Sequence, residues 1–368
     1  MKTAIQSLLI DELENEFQAA YRAKQIAQWL YEKRANSFDA MSNLPQPLRN
    51  ELAEKFAFER FEQVRVLGSN DTTQKFLFRL RDGNLIESVL IPASPALYGE
   101  ASDRRTICVS TQVGCAYGCK FCASGLEGWT RNLHASEIVQ QLIAVEGASG
   151  EKIDNVVFMG MGELLANFDN LLRAVQIINA PWGLGIGARR ITISTSGLAP
   201  QIRKLADNRL QVRLAVSLHG ATDEVRSQIM PVNRKYNVAT LLDACDYYAR
   251  HKKQRITFEF ILIDGVNDSD AEAHELAKHC ARIGAKVNLI PYNTVAGLEW
   301  KRPPRGRQER FLSILHRHGT AATLRREKGH DIDAACGQLR LQRKCSEVVG
   351  AEARENSFAD SVQVRELP

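Results

Sequence analysis

The sequence predicts an α/β fold built around a parallel sheet. The chain has 368 residues, of which 44% are hydrophobic and 25% are charged, a composition that excludes a disordered or fibrous chain. From residue 106 onward, short apolar runs rich in β-branched residues alternate with longer amphipathic stretches, as is typical of β/α units. The chain lacks a run of about 18 apolar residues, and its N-terminus turns acidic too early for a signal peptide. We therefore expect a soluble, cytoplasmic protein without a membrane partner.

Residues 1–62 are predicted to form a helical accessory domain. Large side chains recur at helical intervals, and the segment LPQPL at 44–48 separates them from a second helical stretch rich in Glu, Leu and Ala. The recurring residues are Phe17, Tyr21, Ile26, Trp29, Leu30 and Lys33. Residues 63–100 are predicted to form a β-hairpin bridge, because QKFLFRL and LIESVLIP are joined by the turn sequence RDGN at 81–84.

Residues 101–345 contain the β/α units. The strand sequences are TICVS, NVVFMGMGE, RITISTS, VRLAVSLHG, ITFEFILIDG and KVNLIPYN, with a last strand expected near 320–326. Each strand ends in, or is followed by, residues that could bind a ligand or take part in a reaction: Cys115, Gly162 and Glu163, 194–196, 217–219, Asp264 and Asn293. Strand carboxyl ends build the active sites of α/β barrels, so one functional edge is predicted. The tail, 346–368, is polar and is expected to be flexible.

Three of the eight cysteines stand in one short loop with the spacing C-x3-C-x2-C. Cys115, Cys119 and Cys122 suit a [4Fe–4S] cluster that keeps one iron free for a substrate. A zinc ion is the alternative, but structural zinc takes four ligands and no second cysteine pair follows. Cysteine density is too low for a disulfide scaffold.

With Phe121 before its last cysteine, this loop resembles the signature of radical S-adenosylmethionine (SAM) enzymes. The resemblance to the RlmN/Cfr family of RNA methyltransferases extends from about residue 10 to 345 through NVVFMGMGE, ITISTSG, AVSLHG, LIPYN and GHDIDAACGQL. It implies a partial (β/α)6 radical SAM barrel, one [4Fe–4S] cluster per chain, two SAM molecules consumed per methylation, and an electron donor such as flavodoxin.

The resemblance also implies the reaction. Carbon 2 of adenine has no lone pair, so polar methyl transfer lacks a nucleophile and a radical route is needed. The expected substrates are adenine 2503 of 23S rRNA and adenine 37 of tRNAs, methylated at carbon 2. The alternative within the family is Cfr-type methylation of carbon 8 of adenine 2503. The residues alone also leave open a zinc-stabilised RNA-binding module and a radical SAM enzyme acting on a protein or small molecule.

Three catalytic residues follow from the family match. Cys336, in AACGQL, matches the cysteine that carries the methyl group as S-methylcysteine; by itself it would be interpreted as a core cysteine. Cys108 matches the resolving thiol, which forms a transient disulfide with Cys336. Glu87, within LIESVLIP, matches the proton acceptor; the alternative is an outward charge on an edge strand. An insertion at 94–103 separates Glu87 from Cys108, and 164–165 is Leu-Leu where the family has a proline.

The SAM-binding residues also come from the resemblance. They are Gly162, Glu163, Ser194, Ser217, Leu218, His219 and Asn293. Singly, each polar residue is equally consistent with a helix cap. Cys245 and Cys280 are interpreted as core residues, and Cys345 has no assigned role.

Charge predicts a nucleic-acid partner. The net charge is +5, yet residues 301–344 contain twelve Lys or Arg against four acids, so this segment carries +8 and the remainder −3. Such a segment supplies phosphate contacts. We expect 23S rRNA and tRNA as partners and a monomeric enzyme.

Overall fold

The structure is a computed structural model, which describes residues 2–93, 104–126, 128–325 and 328–339. The insertion at 94–103, Cys345 and the tail at 346–368 lie outside the described residues.

Three helices form the N-terminal part. They are α1 (Ile10–Phe17), α2 (Ala20–Tyr31) and α3 (Gln46–Lys55), and the two-residue strands β1 (Thr3–Ala4) and β2 (Phe56–Ala57) pair in parallel beside them. The first predicted helical stretch is divided because Gln18 adopts a left-handed conformation, with φ of 48°. Pro47 stands in the first turn of α3, where a missing N–H costs nothing.

A ten-stranded sheet forms the centre of the molecule. Its strands are β3 (Glu62–Gly68), β4 (Gln74–Arg79), β5 (Leu85–Pro92), β6 (Arg105–Cys108), β9 (Asn155–Phe158), β10 (Ile191–Thr195), β11 (Arg213–Ser217), β12 (Thr257–Leu262), β13 (Lys286–Pro291) and β14 (Ala322–Leu324). The strands follow one another across the sheet in this order. Pairing is antiparallel from β3 to β6 and parallel from β6 to β14. The sheet is open, in agreement with a partial barrel.

Helices alternate with the parallel strands and cover them. They are α4 (Ala135–Ser149), α5 (Phe168–Asn179), α6 (Ala199–Asp207), α7 (Asp223–Ile229), α8 (Val238–Lys252), α9 (Asp270–Ile283) and α10 (Arg305–Arg317). Strand residues such as Ile193 and Phe258 are fully buried, which explains why the strands appear as apolar runs in the sequence. None of the helices in the described ranges is both long and apolar enough to cross a membrane.

The predicted strands are confirmed, including the hairpin, which forms β4 and β5 and continues the central sheet. Strand β3 was not predicted. It is an edge strand whose residues are mostly exposed, so the strong apolar pattern of a half-buried strand is missing from its sequence. A second small hairpin, β7 (Gln112–Gly114) with β8 (Trp129–Asn132), flanks the three-cysteine loop and was also not predicted.

Candidate active site

A cavity of about 150 Å³ opens at the carboxyl ends of the parallel strands. It brings together nine predicted site residues: Cys115, Cys119, Cys122, Gly162, Glu163, Ser194, Ser217, His219 and Cys336. Leu218 and Asn293 do not line it, and neither do Glu87 and Cys108. The predicted functional edge of the sheet therefore exists, and residues from five separate parts of the chain meet there.

The cluster loop, which we define as residues 115–125, is held closed at its base. Gly114 has φ of +72°, and a Cβ there would lie 2.0 Å from the carbonyl oxygen of Gly128. This close approach lets the Cys115 N–H donate to that same oxygen at 2.9 Å. Glycine is required because any side chain at position 114 would push the two backbones apart.

The three thiols of this loop fit a cluster. All three are free and line the same cavity. In the described part of the chain, no three His, Cys, Asp or Glu side chains converge on a point where one metal ion could bind. A [4Fe–4S] cluster does not need such convergence, since each thiolate binds a different iron, whereas zinc does. Burial raises the pKa of Cys115 to about 11, so a bound cation is needed to hold this thiol as thiolate.

Glu163 organises the wall opposite the loop. Its carboxylate accepts hydrogen bonds from Leu165 N–H at 3.0 Å, the Thr195 hydroxyl at 2.8 Å and Ser196 N–H at 2.6 Å. Burial raises its pKa, and the bonds from Ser196 and Thr195 oppose that rise. The preceding Gly162 has φ of +104°, and a Cβ there would collide with Gln112 at 2.6 Å. The carboxylate is thus fixed in direction at the cavity surface.

One buried carboxylate oxygen in the cavity wall, Glu259 Oε2, has no hydrogen-bond partner among the residues that the structure describes. The other oxygen of Glu259 accepts from Asn288 Nδ2 at 3.0 Å. Buried polar groups are normally hydrogen-bonded, so an unpaired one facing a cavity indicates a polar ligand. SAM, with an ammonium group and ribose hydroxyls to donate, fits this wall.

His219 closes the cavity next to Phe121. Its backbone is left-handed, with φ of 56°, and its ring lies edge-on to Phe121 with centroids 4.7 Å apart. Nδ1 accepts from the Ile261 N–H at 3.0 Å, so the ring proton is on Nε2. Burial, reinforced by the charge of Arg226, lowers the pKa of His219 to about 3. The His219 ring is therefore neutral and carries its N–H donor on Nε2. Its neighbour Leu218 is fully buried in the core.

Cys336 lies in the 328–339 segment, which crosses the face of the sheet. On one side the cluster loop holds it, through Ala123 N–H to Gly337 O and Ser124 Oγ to Leu339 O, both 2.7 Å. On the other side, the turn after β3 and strand β4 hold it: Ser69 Oγ donates to Asp331, and Lys75 Nζ donates to Asp333 O at 3.1 Å.

A second cavity, of about 30 Å³, lies on the far side of Cys336 and is also lined by Asn293, Arg325 and Lys328. Arg325 Nη1 lies 3.8 Å from the Cys336 sulfur. Asn293 Nδ2 donates to the Cys336 carbonyl at 3.2 Å, so in this structure Asn293 supports the Cys336 backbone. Cys336 thus lines both cavities.

Cys108 ends strand β6 and packs with Val89, Ala334 and Leu339, next to the Cys336 backbone. Burial, followed by the nearby Cys336, raises its pKa to about 12, so it is a protonated thiol at neutral pH. Both cysteines are free, and the disulfide that the family resemblance implies is not formed in this structure.

Glu87 is buried on the same sheet face as Cys108. Val89 is the register partner of Cys108, and Glu87 precedes Val89 by two residues, which puts both β5 side chains on that face. The Glu87 carboxylate forms an ion pair with Lys75 Nζ at 3.1 Å. The alternative interpretation of Glu87 as an outward charge is therefore wrong.

Comparisons with known proteins match this architecture. A family model described as the radical SAM superfamily matches residues 109–277, and one described as the ribosomal RNA large subunit methyltransferase N-terminal domain matches residues 10–57. Relatives named probable dual-specificity RNA methyltransferase RlmN occur in Akkermansia muciniphila, 55% identical over 88% of this chain and 90% of that protein, and in Staphylococcus saprophyticus, 45% identical over 93% and 94%. The chain belongs to the RlmN family. A radical SAM methyltransferase from Sphaerobacter thermophilus, 45% identical, superimposes with a TM-score of 0.85 over 92% of this chain and 99% of that one.

Three residues of this RlmN-family site were not predicted. In the sequence, Arg226 of α7 looks like an exposed charged residue on a helix, but the structure shows that it is fully buried. Glu259 did leave a signal, because it is the only acid in the otherwise apolar strand TFEFIL. Arg325 directly follows the last strand, at the edge where function was expected. Asp264, which was included among the strand-end residues, does not line the cavity and lies 4.0 Å from Arg307.

The basic segment of this RlmN-family chain is partly neutralised. Arg305, Arg307 and Arg310 form ion pairs with Glu309, Asp268 and Asp270. Arg325 and Lys328 instead line the second cavity. Arg326, Arg340, Arg343 and Lys344 lie outside the described residues. Within the described ranges, Arg325 and Lys328 are the basic residues of this segment that line a cavity together with Cys336.

Proposed function

We propose that this chain methylates carbon 2 of adenine in RNA, with 23S rRNA and tRNAs as substrates, through a methyl group carried on Cys336. The observation that carries the proposal is the position of Cys336 between two cavities. One contains the three cluster thiols, and the other, of about 30 Å³, is lined by Arg325 and Lys328. A carrier thiol has to reach both its methyl source and its acceptor, and this position allows that.

The residues of the main cavity would hold two groups. Cys115, Cys119 and Cys122 would hold a [4Fe–4S] cluster, while Glu163, Ser196 and Glu259 would accept hydrogen bonds from SAM. When bound, these groups supply an electrophilic methyl group and a one-electron route to a carbon radical. The neutral imidazole of His219 covers this side of the cavity and brings no charge.

Cys336 would accept the methyl group at Sγ as a thioether. This methyl group would lose one hydrogen atom to the carbon radical that the bound groups supply, and its carbon would then form a bond to adenine carbon 2. The adduct would return one electron to the bound groups as it loses the ring proton. The protein and the RNA are at that stage joined through sulfur. Glu87, paired with Lys75, would accept the proton lost from the ring carbon. The Cys108 thiol would attack the Cys336 sulfur, so that an S–S bond forms, the C–S bond breaks, and its electron pair goes to the carbon, which takes a proton to become the methyl group.

The target adenine, extruded from its stack, would approach Cys336 from the side of the second cavity, which has to widen beyond its present volume of about 30 Å³ to admit a base. Arg325 and Lys328 line this side and are placed to contact RNA phosphate or base edges. The RNA would thus be recognised by its shape and charge, and we expect the affinity for RNA to fall steeply as the salt concentration rises.

The proposal is tested by incubating the reconstituted enzyme with SAM, a flavodoxin-type reductant and either RNA, then digesting the RNA and analysing its nucleosides by mass spectrometry. We expect 2-methyladenosine from both RNAs. Cys336→Ala should give none, whereas Cys280→Ala, which changes a buried core cysteine on α9, should keep the activity. Formation of 8-methyladenosine, or of no methyladenosine, would contradict the proposal.

A further inference from the structure

Arg226 is a buried cation bonded to neutral groups only. Its side chain is 0% exposed. Nε donates to Leu218 O at 3.0 Å, Nη1 to Asn233 Oδ1 at 2.8 Å, and Nη2 to Ser196 O. None of the carboxylates that the structure describes bonds this guanidinium directly. Asp223 reaches it only through Asn233, whose Nδ2 donates to the Asp223 carboxylate at 2.9 Å.

The fold makes room for this arginine at two strand ends. A Cβ on Gly197 would lie 2.9 Å from Arg226 Nη2, and a Cβ on Gly220 would lie 2.6 Å from the Arg226 backbone nitrogen. The guanidinium therefore ties together the loops after β10 and β11, which carry Ser196 and His219. A buried charge without an opposite charge is costly, so a site built around one indicates that a negative charge is missing.

The missing charge is on the cluster side. Lys120 N–H, in the cluster loop, donates to Ile229 O at the end of the Arg226 helix, at 2.9 Å. The guanidinium also bonds Leu218 O and Ser196 O, and Ser196 and His219 line the cavity that contains Cys119. A cluster held by three thiolates carries net negative charge, and one-electron reduction makes it more negative.

We propose that Arg226 is the counter-charge of the cluster and that its positive charge raises the cluster's reduction potential. It is a positioning and charge-compensating residue rather than a catalytic one. The inference rests on the proposed function to the extent that the cluster loop must hold a [4Fe–4S] cluster. It does not depend on the RNA substrate or on the fate of Cys336.

The test is a potentiometric titration of the reconstituted protein with dithionite, in which electron paramagnetic resonance measures the reduced cluster. We expect Arg226→Gln to shift the midpoint potential to more negative values, because the reduced state loses its counter-charge. Arg226→Lys, which keeps the charge but loses the forked hydrogen bonds, should stay close to the wild-type potential. Arg250→Gln, which removes an exposed arginine of α8, is the matched control and should not shift it.

A second variant keeps Arg226 and moves a charge instead. Exchanging Asp223→Asn with Asn233→Asp preserves the charge count and the 223–233 hydrogen bond, but brings the carboxylate directly to the guanidinium. We expect this exchange also to lower the midpoint potential, even if Arg226→Gln fails to retain the cluster.

An unchanged potential in both Arg226→Gln and the exchange variant would overturn the counter-charge role and leave Arg226 as a connector of loops. Equal shifts in the Gln and Lys variants would overturn it as well. Absence of a cluster signal in the wild type would instead refute the cluster in the proposed function, and the inference with it.

Discussion

The buried ion pair between Lys75 and Glu87 gives a quantitative prediction for Glu87→Gln. The two side chains are only 10% and 6% exposed, and the substitution leaves the Lys75 charge facing the Asp333 carbonyl and a neutral amide. Breaking a buried pair by removing one partner costs about 3–5 kcal/mol, and we expect the low end, about 3 kcal/mol, because these neutral acceptors remain. At about 2.1 cal/mol/K of unfolding entropy per residue, this corresponds to a Tm lower by about 4 °C.

The assay separates the structural role of Glu87 from its proposed role as a base. Calorimetry gives Tm, and nucleoside mass spectrometry gives 2-methyladenosine formation. The double variant Lys75→Met with Glu87→Gln removes the orphaned charge, so we expect most of the stability to return while activity stays about 100-fold or more below wild type. Glu62→Gln, in the exposed Arg79–Glu62 pair between β4 and the neighbouring edge strand β3, should change stability by less than about 1 kcal/mol. Return of both stability and activity in the double variant would refute the role of Glu87 as proton acceptor.

Three further predictions concern the surroundings of the main cavity. The pKa of His219 is about 3 in the folded protein and about 6.5 when unfolded, so its stabilising contribution is present above pH 6.5 and is lost as pH falls towards 3. The Tm of His219→Gln should therefore depend less on pH between these values than the wild-type Tm does. Equal slopes of Tm against pH would contradict this prediction. Ser124→Ala removes the bond to Leu339 O, worth about 1 kcal/mol, and should accelerate amide hydrogen exchange at 334–339. Unchanged exchange would show that this bond does not hold the segment. Cys108→Ala should trap a covalent protein–RNA adduct on denaturing gels, and its absence under turnover would remove Cys108 from the mechanism.

The parts of the site that the sequence predicts are those encoded locally. The spacing of Cys115, Cys119 and Cys122 lies within one loop, and the chain reversal at Gly114 keeps these thiols on one wall. Ser217 and His219 were expected because they follow a strand, and parallel strands end at one edge. These inferences need no knowledge of long-range packing.

The remaining parts depend on register and packing, which a single sequence does not reveal. The Lys75–Glu87 pair requires the alignment of β4 with β5, in which Lys75 lies opposite Val89. Arg226 looks like an ordinary helix charge in the sequence, and its burial depends on the space that Gly197 and Gly220 leave in two different strand-end loops. The supporting bond from Asn293 to the Cys336 backbone depends on the path of the 328–339 segment.

The central claim is that Cys336 carries the methyl group, and peptide mass spectrometry of Cys336 in protein purified from cells tests it most directly. We predict that a substantial fraction of the peptide containing Cys336 is heavier by one methylene unit, with the modification on sulfur, while the peptide containing the core cysteine Cys280 is unmodified. Cys336 found only as a free thiol, in protein that forms 2-methyladenosine when supplied with SAM and reductant, would contradict the account.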